Sequence, residues 1–520
     1  MKKIVFLIGF LPLFLLNSCD LLDLAPEDYY GSGNFWNTAA QVDGYMLGLH
    51  NLLRNDHQSF YLLGEARGGT TGIGNTAIGT TNINSSPIKD NALTKDATGI
   101  SGWQGYYARI MQVNIFISEV ENGCTFLSDN DRNYYLGQAY GIRAFYYFML
   151  YRTFGGVPVI STVKVLEGVT HASGLYTPRS TPKQTLDFIK DDINKSDQYF
   201  GQDFSIKRTK SLWSKPATLM LKANIYLWSA KVTTGDQTPS ATDLQTAKDA
   251  ITPLIGRFSL LPNFGNVFGN ANKGNDEIIF AIRFLEGEAT NFNSEFVYQP
   301  VVFVNMVYDK EGKLMGDTLD LRNTGSYRHT YKYELYERYD ADDQRRDATF
   351  LDFYMRDGDG NVINKALTFR KAIGRINATG IRLYDSDIPV FRYAEALLLM
   401  AEIENKAGGD PSSYINEIRQ RAYGDNYDPV IHAHVNQGFE ANELAILYER
   451  DMEFVWEGKR WFDVCRMTDD AGRPLVFSNA ASYGSSLPIL NYSAEAHKLL
   501  WPVDVNTLNT DPELTQTPGY

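Results

Sequence analysis

Ten charged residues of this sequence lie inside apolar, helix-like segments, where each charge needs a partner. They are Arg392, Glu395, Glu402, Arg419, Arg421, Glu449, Arg450, Glu453, Glu457 and Arg460. Leaving one member of a buried ion pair without its partner costs about 3–5 kcal/mol. We therefore interpret these residues as ion pairs that join helices, and not as groups that carry out catalysis.

The sequence motifs of common hydrolases do not occur in the chain. There is no G-x-S-x-G nucleophile motif and no H-E-x-x-H metal-binding motif. A glycoside hydrolase needs two carboxylates across a sugar bond, but with 62 Asp and Glu residues some such pair is inevitable. Carboxylate pairs are therefore uninformative here, and none of these motifs predicts an enzyme.

Two short motifs partly resemble nucleotide or metal sites. Residues 72–77 match the G-x-G-x-x-A pattern, but no strand precedes them and Pro87 prevents the helix that should follow. His432 and His434 have no third ligand of the usual kind nearby. We predict neither nucleotide nor metal binding at these positions and interpret the histidines as part of a solvated loop.

Asp357, Asp359 and Asn361 resemble the start of a calcium-binding loop. The glycine required at the sixth position is replaced by Val362, and no Glu occupies the twelfth. We therefore predict a hairpin turn here. A structural calcium ion is the alternative, and no other cofactor is predicted.

The composition is that of an ordinary folded chain with an acidic balance. The 520 residues are 43% hydrophobic and 21% charged, and the net charge is −13. Bulk charge therefore does not favour nucleic acid as a partner. Because single cores stop growing at about 250–300 residues, we expect two or more closely packed lobes.

Apart from Cys19, the chain has two cysteines, Cys124 and Cys465. The sequence is compatible with a disulfide between them and equally with two separate thiols.

The amino terminus has the pattern of an export signal. Lys2 and Lys3 precede an apolar run over residues 4–16, which is shorter than the about 20 residues that span a bilayer. The run ends in Leu16-Asn17-Ser18-Cys19, which resembles a bacterial lipobox. We predict a signal peptide over 1–18, lipidation of Cys19 and a tether over 19–34 that is held firmly to a membrane by its acyl chains.

Apolar residues at helical spacing predict nine helices. They cover residues 38–54, 101–121, 131–154, 181–199, 213–232, 241–256, 387–408, 411–423 and 440–467. Most of them come in neighbouring pairs, which predicts stacked helix-turn-helix repeats. The tetratricopeptide pattern is present only in fragments such as Leu136-Gly137-x-x-Tyr140, so the repeats are expected to be degenerate.

Two segments have no helical pattern. Residues 65–100 are rich in Gly, Thr and Asn, and residues 275–384 alternate short apolar runs with turn signals. Long loops in a compact protein commonly carry function. We therefore expect a ligand to bind at these segments.

Many ordered segments together resemble the SusD/RagB family of bacterial nutrient-binding lipoproteins. In the first half they are Cys19-x-x-Leu22-x-x-x-Pro26, Phe35-Trp36, Trp103-x-x-Tyr106-Tyr107, Arg143-Ala144-Phe145-Tyr146-Tyr147 and Phe154-Gly155-x-Val157-Pro158. In the second half they are Asp387-Ile388-Pro389-Val390-Phe391-Arg392, Asn416-x-Ile418-Arg419-x-Arg421-Ala422, Glu449-Arg450-x-x-Glu453-Phe454, Glu457-Gly458-x-Arg460-Trp461-Phe462-Asp463 and Gln516-Thr517-Pro518-Gly519-Tyr520. The family usually ends in Q-N-P-G-Y, so Thr517 is a mild departure. Trp103 and Trp461 belong to these shared motifs and are predicted to be core residues.

The resemblance implies a mainly α-helical fold with about four tetratricopeptide-like helix pairs and an irregular, loop-rich lobe that contains short strands. Within a body over 35–520, the scaffold would comprise about 35–60, 101–260 and 385–520, and the ligand-binding lobe about 61–100 and 261–384. The resemblance also implies an outer-membrane lipoprotein facing outward. It would capture oligosaccharides and deliver them to a SusC-like TonB-dependent barrel that contacts the repeats.

A sugar ring is recognised by aromatic planes with amide, arginine or carboxylate groups beside them. The irregular segments and their borders hold ten candidates for such a site. They are Tyr61, Arg67, Asn75, Asn82, Phe292, Asn293, Phe296, Tyr298, Tyr308 and Tyr327. Phe296 and Tyr298 stand at alternating positions, which is also the pattern of rings on the buried face of a β-strand.

Two other functions remain open. The same scaffold could bind a peptide or protein, which an extended polar groove without a stacking ring would favour. A surface glycoside hydrolase would need two carboxylates about 5–9 Å apart in an open cleft.

Overall fold

The computed structural model describes residues 35–72, 75–76, 79–80, 86–100 and 102–520. The predicted signal peptide, Cys19 and the tether over 19–34 lie outside the described residues. Within the described residues, every helix is either too short or too polar to cross a bilayer.

Helices make up most of the regular structure in the described part of the chain. In chain order they are α1 (Ala39–Gly64), α2 (Ser86–Lys89), α3 (Gln104–Asn122), α4 (Asp129–Phe154), α5 (Pro182–Phe200), α6 (Lys215–Lys231), α7 (Ala241–Ile251), α8 (Pro300–Phe303), α9 (Tyr333–Tyr336), α10 (Gln344–Thr349), α11 (Tyr393–Lys406), α12 (Ser412–Tyr423), α13 (Pro429–His432), α14 (Phe439–Glu453), α15 (Arg460–Arg466), α16 (Tyr492–Glu495) and α17 (Val505–Thr510).

The long helices pack in sequence order. Helix α4 packs against α3 and α5, α6 packs against α5 and α7, and α11 contacts α7, α12 and α14. Helix α4 lies at the centre of this stack, because its side chains are buried on every face from Tyr135 onward. The mainly α, tetratricopeptide-like architecture is therefore confirmed.

Three predicted helices show the largest differences from the structure, two at an end and one by a break in its interior. Helix α1 continues to Gly64, ten residues beyond the predicted end, since neither Gly nor Pro interrupts residues 55–63. The segment predicted as a helix from residue 387 begins as a strand, and its helix starts only at Tyr393. The helix predicted over 440–467 is broken between α14 and α15, because Trp456 and Gly458 adopt positive φ angles of 75° and 69°.

The strands form short antiparallel pairs. They are β1 (Asn75–Thr76) with β2 (Gly79–Thr80), β3 (Ile278–Ile282) with β8 (Ile388–Arg392), β4 (Phe350–Arg356) with β5 (Val362–Phe369), and β6 (Arg375–Ile376) with β7 (Arg382–Leu383). The pairing of β3 with β8 explains why residues 388–392 are extended: this strand ties the irregular lobe to the start of α11.

The loop between β4 and β5 is the predicted hairpin turn. The Asp357 carboxylate accepts hydrogen bonds from the backbone N–H groups of Asp359 at 3.0 Å and Asn361 at 2.8 Å. These bonds close the turn locally, as an Asx turn does. In the part of the chain that the structure describes, no cluster of three or more His, Cys, Asp and Glu side chains is placed to hold a metal ion.

The apolar residues form two cores, as the chain length predicts. The first core lies among the long helices and includes Trp103 and Trp461, which are 4% and 1% exposed. The second core lies within residues 264–384 and is completed by a few rings from outside, such as Trp456. Cys124 and Cys465 are buried in the first core and are not bonded to each other.

A buried cluster of charges joins the two lobes, and we call it the central ionic network. It comprises Glu277, Asp343, Arg345, Lys371, Arg392, Arg421, Glu449, Glu453 and Glu457. Arg392 is its hub: it lies 2.7 Å from Glu277, 2.5 Å from Glu453 and 2.8 Å from Glu457. The arginines around Glu453, and Arg392 and Lys371 around Glu457, lower the pKa of both carboxyl groups despite their burial.

A second buried cluster, the second ionic network, lies among α6, α11, α14 and α15. It comprises Lys231, Glu395, Glu402, Glu443, Arg450, Lys459, Asp463 and Arg466. Four cations face four carboxylates, so the network is neutral. The predicted role of the charged residues as ion pairs between helices is confirmed for both networks.

Replacing Arg392 with methionine should strongly destabilise the fold. The Arg392→Met variant keeps the volume of the side chain but leaves three buried carboxylates short of a cation, which costs about 3–5 kcal/mol. The loss should appear in urea unfolding followed by circular dichroism.

The matched control is Asp187→Asn, which breaks the exposed Lys183–Asp187 pair on α5. Exposed pairs at this spacing contribute about 0.5 kcal/mol or less. An Arg392→Met protein as stable as this control would contradict the structural role of the central ionic network.

Candidate functional site

Most side chains predicted to contact a ligand are buried in the structure. The buried ones are Tyr61, Arg67, Phe292, Asn293, Phe296, Tyr298 and Tyr327, all with 9% or less of their surface exposed. Their surroundings are those of core residues. This burial favours the core role that the sequence left open for rings such as Phe296 and Tyr298, and ligand binding by these seven residues stays a prediction.

The reason for this burial is ring packing within the second core. Phe296 stacks on His329 with ring centres 4.8 Å apart, and Tyr298 stacks on Phe303 at 3.8 Å. The Tyr327 hydroxyl donates to the backbone oxygen of Leu367 at 2.6 Å. Rings that contact one another in this way leave no free face for a sugar.

Arg67 and Asn293 are held by structural hydrogen bonds. The Arg67 guanidinium lies 4.0 Å above the Trp461 ring, and its Nε donates to Asn91 at 2.7 Å. The Asn293 side chain donates to the backbone oxygen of Ala372 at 2.5 Å. Both side chains fasten loops to the body of the protein.

The other three predicted residues have different positions. Tyr308 is partly exposed, and its backbone pairs with that of Tyr354. Asn75 lies in β1, opposite Thr80, and its side chain is not described. Asn82 lies outside the described residues.

A partly exposed cluster of tyrosines beside Tyr308 has the features that a sugar site requires, and we call it the tyrosine face. It comprises Tyr333, Tyr336, Arg346, Asp352, Tyr354 and Lys365. Asp352 and Tyr354 alternate along β4 with Phe353, so they share the face of the hairpin that Phe353 does not use. Helix α9 places Tyr333 and Tyr336 above that face.

The polar atoms of the tyrosine face converge on one carboxylate. The Tyr354 hydroxyl donates to Asp352 Oδ2 at 2.8 Å, and the Tyr333 hydroxyl lies 3.3 Å from the same oxygen. The two hydroxyls are 3.0 Å apart. Such a shared acceptor fixes the orientation of both rings.

Cations lie beside these rings. Lys365 Nζ is 5.0 Å from the centre of the Tyr333 ring, and the Arg346 guanidinium is 5.6 Å from that of Tyr336. Burial, together with the charge of Asp352, raises the pKa of Tyr336 to about 12. Burial also raises the pKa of Tyr333 and Tyr354, so all three phenols stay neutral and keep a proton to donate.

The tyrosine face therefore combines aromatic planes with a carboxylate and two cations. Aromatic planes suit the apolar face of a sugar ring, and the charged groups suit its hydroxyls. Sequence reasoning missed this face although it lies in the irregular lobe. The signal was the alternation Asp352-x-Tyr354 along one strand and the spacing Tyr333-x-x-Tyr336, which places two rings on one side of a helical turn.

A groove of about 380 Å³, which we call the arginine groove, lies elsewhere, between α1, the loop before α6, and β3. Its charged residues are already paired: Arg54 and Arg283 both contact Glu288, at 3.2 and 3.0 Å, and Arg208 contacts Asp43 at 2.7 Å. Apolar side chains make up much of the remaining lining. The rings that line it are the His50 imidazole and Phe280, which is 2% exposed. The groove therefore offers charged and apolar contacts but no exposed Phe, Tyr or Trp ring.

Two family models match the chain. The SusD family model matches residues 359–520, and a model described as starch-binding associating with outer membrane matches residues 21–227. A curated relative, the SusD-like protein P38 of Formosa agariphila, is 24% identical over the whole chain and 99% of its own length.

Solved structures of similar proteins share the fold over nearly the whole chain. A SusD superfamily protein of Bacteroides fragilis is 43% identical with a TM-score of 0.88, covering 94% of this chain and all of its own. NanU of Bacteroides fragilis is 32% identical with a TM-score of 0.83, covering 95% of this chain and all of its own.

The buried rings and the tyrosine face should respond differently to truncation. Phe296→Ala removes a ring from the second core and should cost about 3–5 kcal/mol of unfolding free energy. Tyr333→Ala removes a partly exposed ring and should cost about 1 kcal/mol. Urea unfolding of both variants measures the difference, and equal losses would contradict the division into core and surface.

Proposed function

This chain belongs to the SusD superfamily of glycan-binding proteins associated with the outer membrane, and we propose that it captures oligosaccharides at the cell surface through its tyrosine face. The observation that carries the proposal is the convergence of Tyr333 and Tyr354 on Asp352, with Tyr336 beside them. We further propose that the captured glycan is passed to a SusC-like TonB-dependent barrel.

The open shape of the tyrosine face supports an oligosaccharide as ligand. The rings belong to a surface hairpin and a short helix, so a chain of sugars could extend across them in either direction. The Tyr333 and Tyr336 rings, with centres 5.4 Å apart and planes inclined by 51°, offer surfaces to more than one sugar unit. A single enclosed pocket would instead select one small molecule.

We propose that the protein binds its glycan without cleaving it. The tyrosine face is organised around Asp352, whose carboxylate already accepts hydrogen bonds from two phenols. The neighbouring carboxylates of Asp347 and Glu337 are paired with Arg346 and Lys365, at 2.9 and 3.6 Å. Glycoside cleavage needs a second carboxyl group as acid or nucleophile. Labelled oligosaccharides should therefore be recovered intact after incubation with the protein, and any shortened product would overturn this part of the proposal.

We propose that acyl chains on Cys19 hold the protein in the outer membrane with the body facing outward. The lipobox supports this anchor, and at about 0.8 kcal/mol per buried methylene two or three chains hold far more firmly than one. The tether over 19–34 would then separate the body from the lipid surface.

The segment between α12 and α14, which includes the short helix α13, supports a protein partner, and we call it the apolar loop. Val430, Ile431 and Val435 are 91%, 73% and 68% exposed. The loop is held in place because the His432 ring stacks on Tyr423 with centres 3.9 Å apart. Exposed apolar patches of this kind mark protein contacts, and we propose that this loop contacts the barrel.

The arginine groove gives a specific reason to consider a peptide ligand. It is lined by arginines and has no exposed Phe, Tyr or Trp ring, which favours a peptide over a sugar. Its arginines are already paired with acids, however, so a peptide would have to displace those pairs. We therefore rank this function second.

Removing two rings from the tyrosine face should weaken glycan binding. In affinity electrophoresis with plant, host and microbial polysaccharides, at least one polysaccharide should retard the wild-type protein. The Tyr333→Ala/Tyr354→Ala variant should bind it about tenfold or more weakly, since each stacked ring contributes about 0.5–1.5 kcal/mol.

The control variant is Tyr492→Ala, which removes a ring that is 54% exposed on α16. It should be retarded as strongly as the wild-type protein. No retardation by any polysaccharide, together with peptide binding that survives loss of both rings, would favour the peptide alternative.

Charges placed on the apolar loop should separate membrane anchoring from partner binding. The Val430→Glu/Ile431→Glu variant should stay in the outer-membrane fraction but lose co-purification with a TonB-dependent barrel in mild detergent, because two carboxylates oppose apolar burial.

The Cys19→Ser variant should behave in the opposite way and leave the membrane fraction. Co-purification of the barrel with the doubly charged variant at the wild-type level would exclude this loop as the contact surface.

A further inference from the structure

A pocket of about 490 Å³ opens at the carboxyl ends of α4 and α6, opposite the carboxy-terminal segment of the chain. Its walls are largely apolar and include Phe154, Trp228, Val232 and Leu500. Pockets of this size hold small organic molecules. It shares no residue with the tyrosine face, so a ligand here does not depend on the proposed glycan site.

Among the described residues, the ionisable side chains that line the pocket include basic groups but no carboxylic acids. Two arginines and one histidine line it, namely Arg152, Arg179 and His497, and no Asp or Glu is among the described residues that form its walls. This is unexpected in a chain with 62 acidic and 49 basic residues. A positive, apolar pocket in an acidic protein favours an anion with an apolar body.

Arg179 has acceptors within the protein. It donates to the backbone oxygens of Phe154 at 2.5 Å, Gly156 at 2.7 Å and Thr515 at 3.1 Å. These bonds fasten the carboxy-terminal segment to the end of α4. We therefore regard Arg179 as structural and not as the group that meets the ligand.

Arg152 has no such partners. In the described parts of the chain no carboxylate lies within 4.0 Å of it; its Nη2 reaches only Met149 Sδ at 2.9 Å, and its buried Nε has no acceptor. The guanidinium lies 3.6 Å from the centre of the Phe462 ring. The second ionic network nearby is already neutral, so Arg152 is an additional cation. Burial together with Arg466 lowers its pKa to about 9, although the carboxylates of Glu395 and Asp463, which lie beyond 4.0 Å, act to raise it.

A second donor in the pocket is also unsatisfied. Trp228 is 4% exposed, and its indole Nε1–H has no acceptor among the described residues. Its ring lies 6.0 Å from the Arg152 guanidinium. Two buried donors without acceptors, next to each other in a pocket without acids, call for a ligand that carries acceptors.

We propose that this pocket binds an organic carboxylate with an apolar body, whose carboxylate pairs with Arg152 and accepts from Trp228. The planar guanidinium can give a carboxylate two parallel hydrogen bonds. The apolar part of the ligand would lie against Val232 and Leu500. The ligand thereby supplies the negative charge that Arg152 lacks inside the protein.

Calorimetric titration of the full chain with hexanoate and with benzoate tests the proposal. At least one of them should bind saturably, and its neutral amide should bind about tenfold or more weakly because it lacks the charge that pairs with Arg152. Arg152→Met should lower the affinity of the carboxylate to that of the amide. The variant should fold at least as well, because removing an unpaired buried cation costs little.

Two further variants separate pocket binding from a general charge effect. Val232→Trp fills the pocket without changing its charge and should abolish binding, whereas Arg322→Met removes an exposed arginine paired with Asp320 and should leave binding unchanged. Equal affinity of the wild-type and Arg152→Met proteins, or no saturable binding of either carboxylate, would overturn the proposal. Glycan retardation by Arg152→Met should stay at the wild-type level.

Discussion

The central ionic network is the interaction on which the remainder of the structure depends. It lies where strand β8, helices α12 and α14 and the irregular lobe meet, and Arg392 contacts three carboxylates from two separate segments, Glu277 before β3 and Glu453 with Glu457 at and just beyond the end of α14. A buried charge is tolerated only when its partners are fixed. The network therefore determines how the loop-rich lobe sits on the helical scaffold, and small displacements of either lobe would leave charges unpaired.

This constraint explains why the helical stack and the irregular lobe have different roles. The helical stack provides a rigid frame, and the second core holds the irregular lobe through stacked rings such as Phe296 and Tyr298. With its interior fixed in this way, the lobe can present Tyr333 and Tyr354 at the surface in a defined geometry. A binding face on a short helix and a hairpin needs such support, because neither element is stable alone.

The same principle of charge pairing distinguishes the pocket beside Arg152 from the ionic networks. In both networks every cation contacts carboxylates, whereas Arg152 lines an apolar pocket and has no carboxylate within 4.0 Å among the described residues. Structural arginines and a ligand-binding arginine are therefore separated by the presence or absence of an internal partner. Sequence pattern cannot make this distinction, because Arg152 lies on the same helix, α4, as Arg143, which pairs with Asp192 at 2.7 Å.

The sequence by itself determined the helical scaffold, because helical spacing and capping residues act locally. It also indicated that the charges within apolar segments need partners, but not which partners they have. It also indicated the hairpin turn at Asp357. Only the tertiary structure decided which rings are core and which are surface. Tyr298 and Tyr333 have the same chemistry. Their difference in exposure comes from tertiary packing, which buries the Tyr298 ring against Phe303 and leaves the Tyr333 ring beside Asp352. The strand at 388–392 was decided in the same way, because its partner β3 lies more than a hundred residues earlier in the chain.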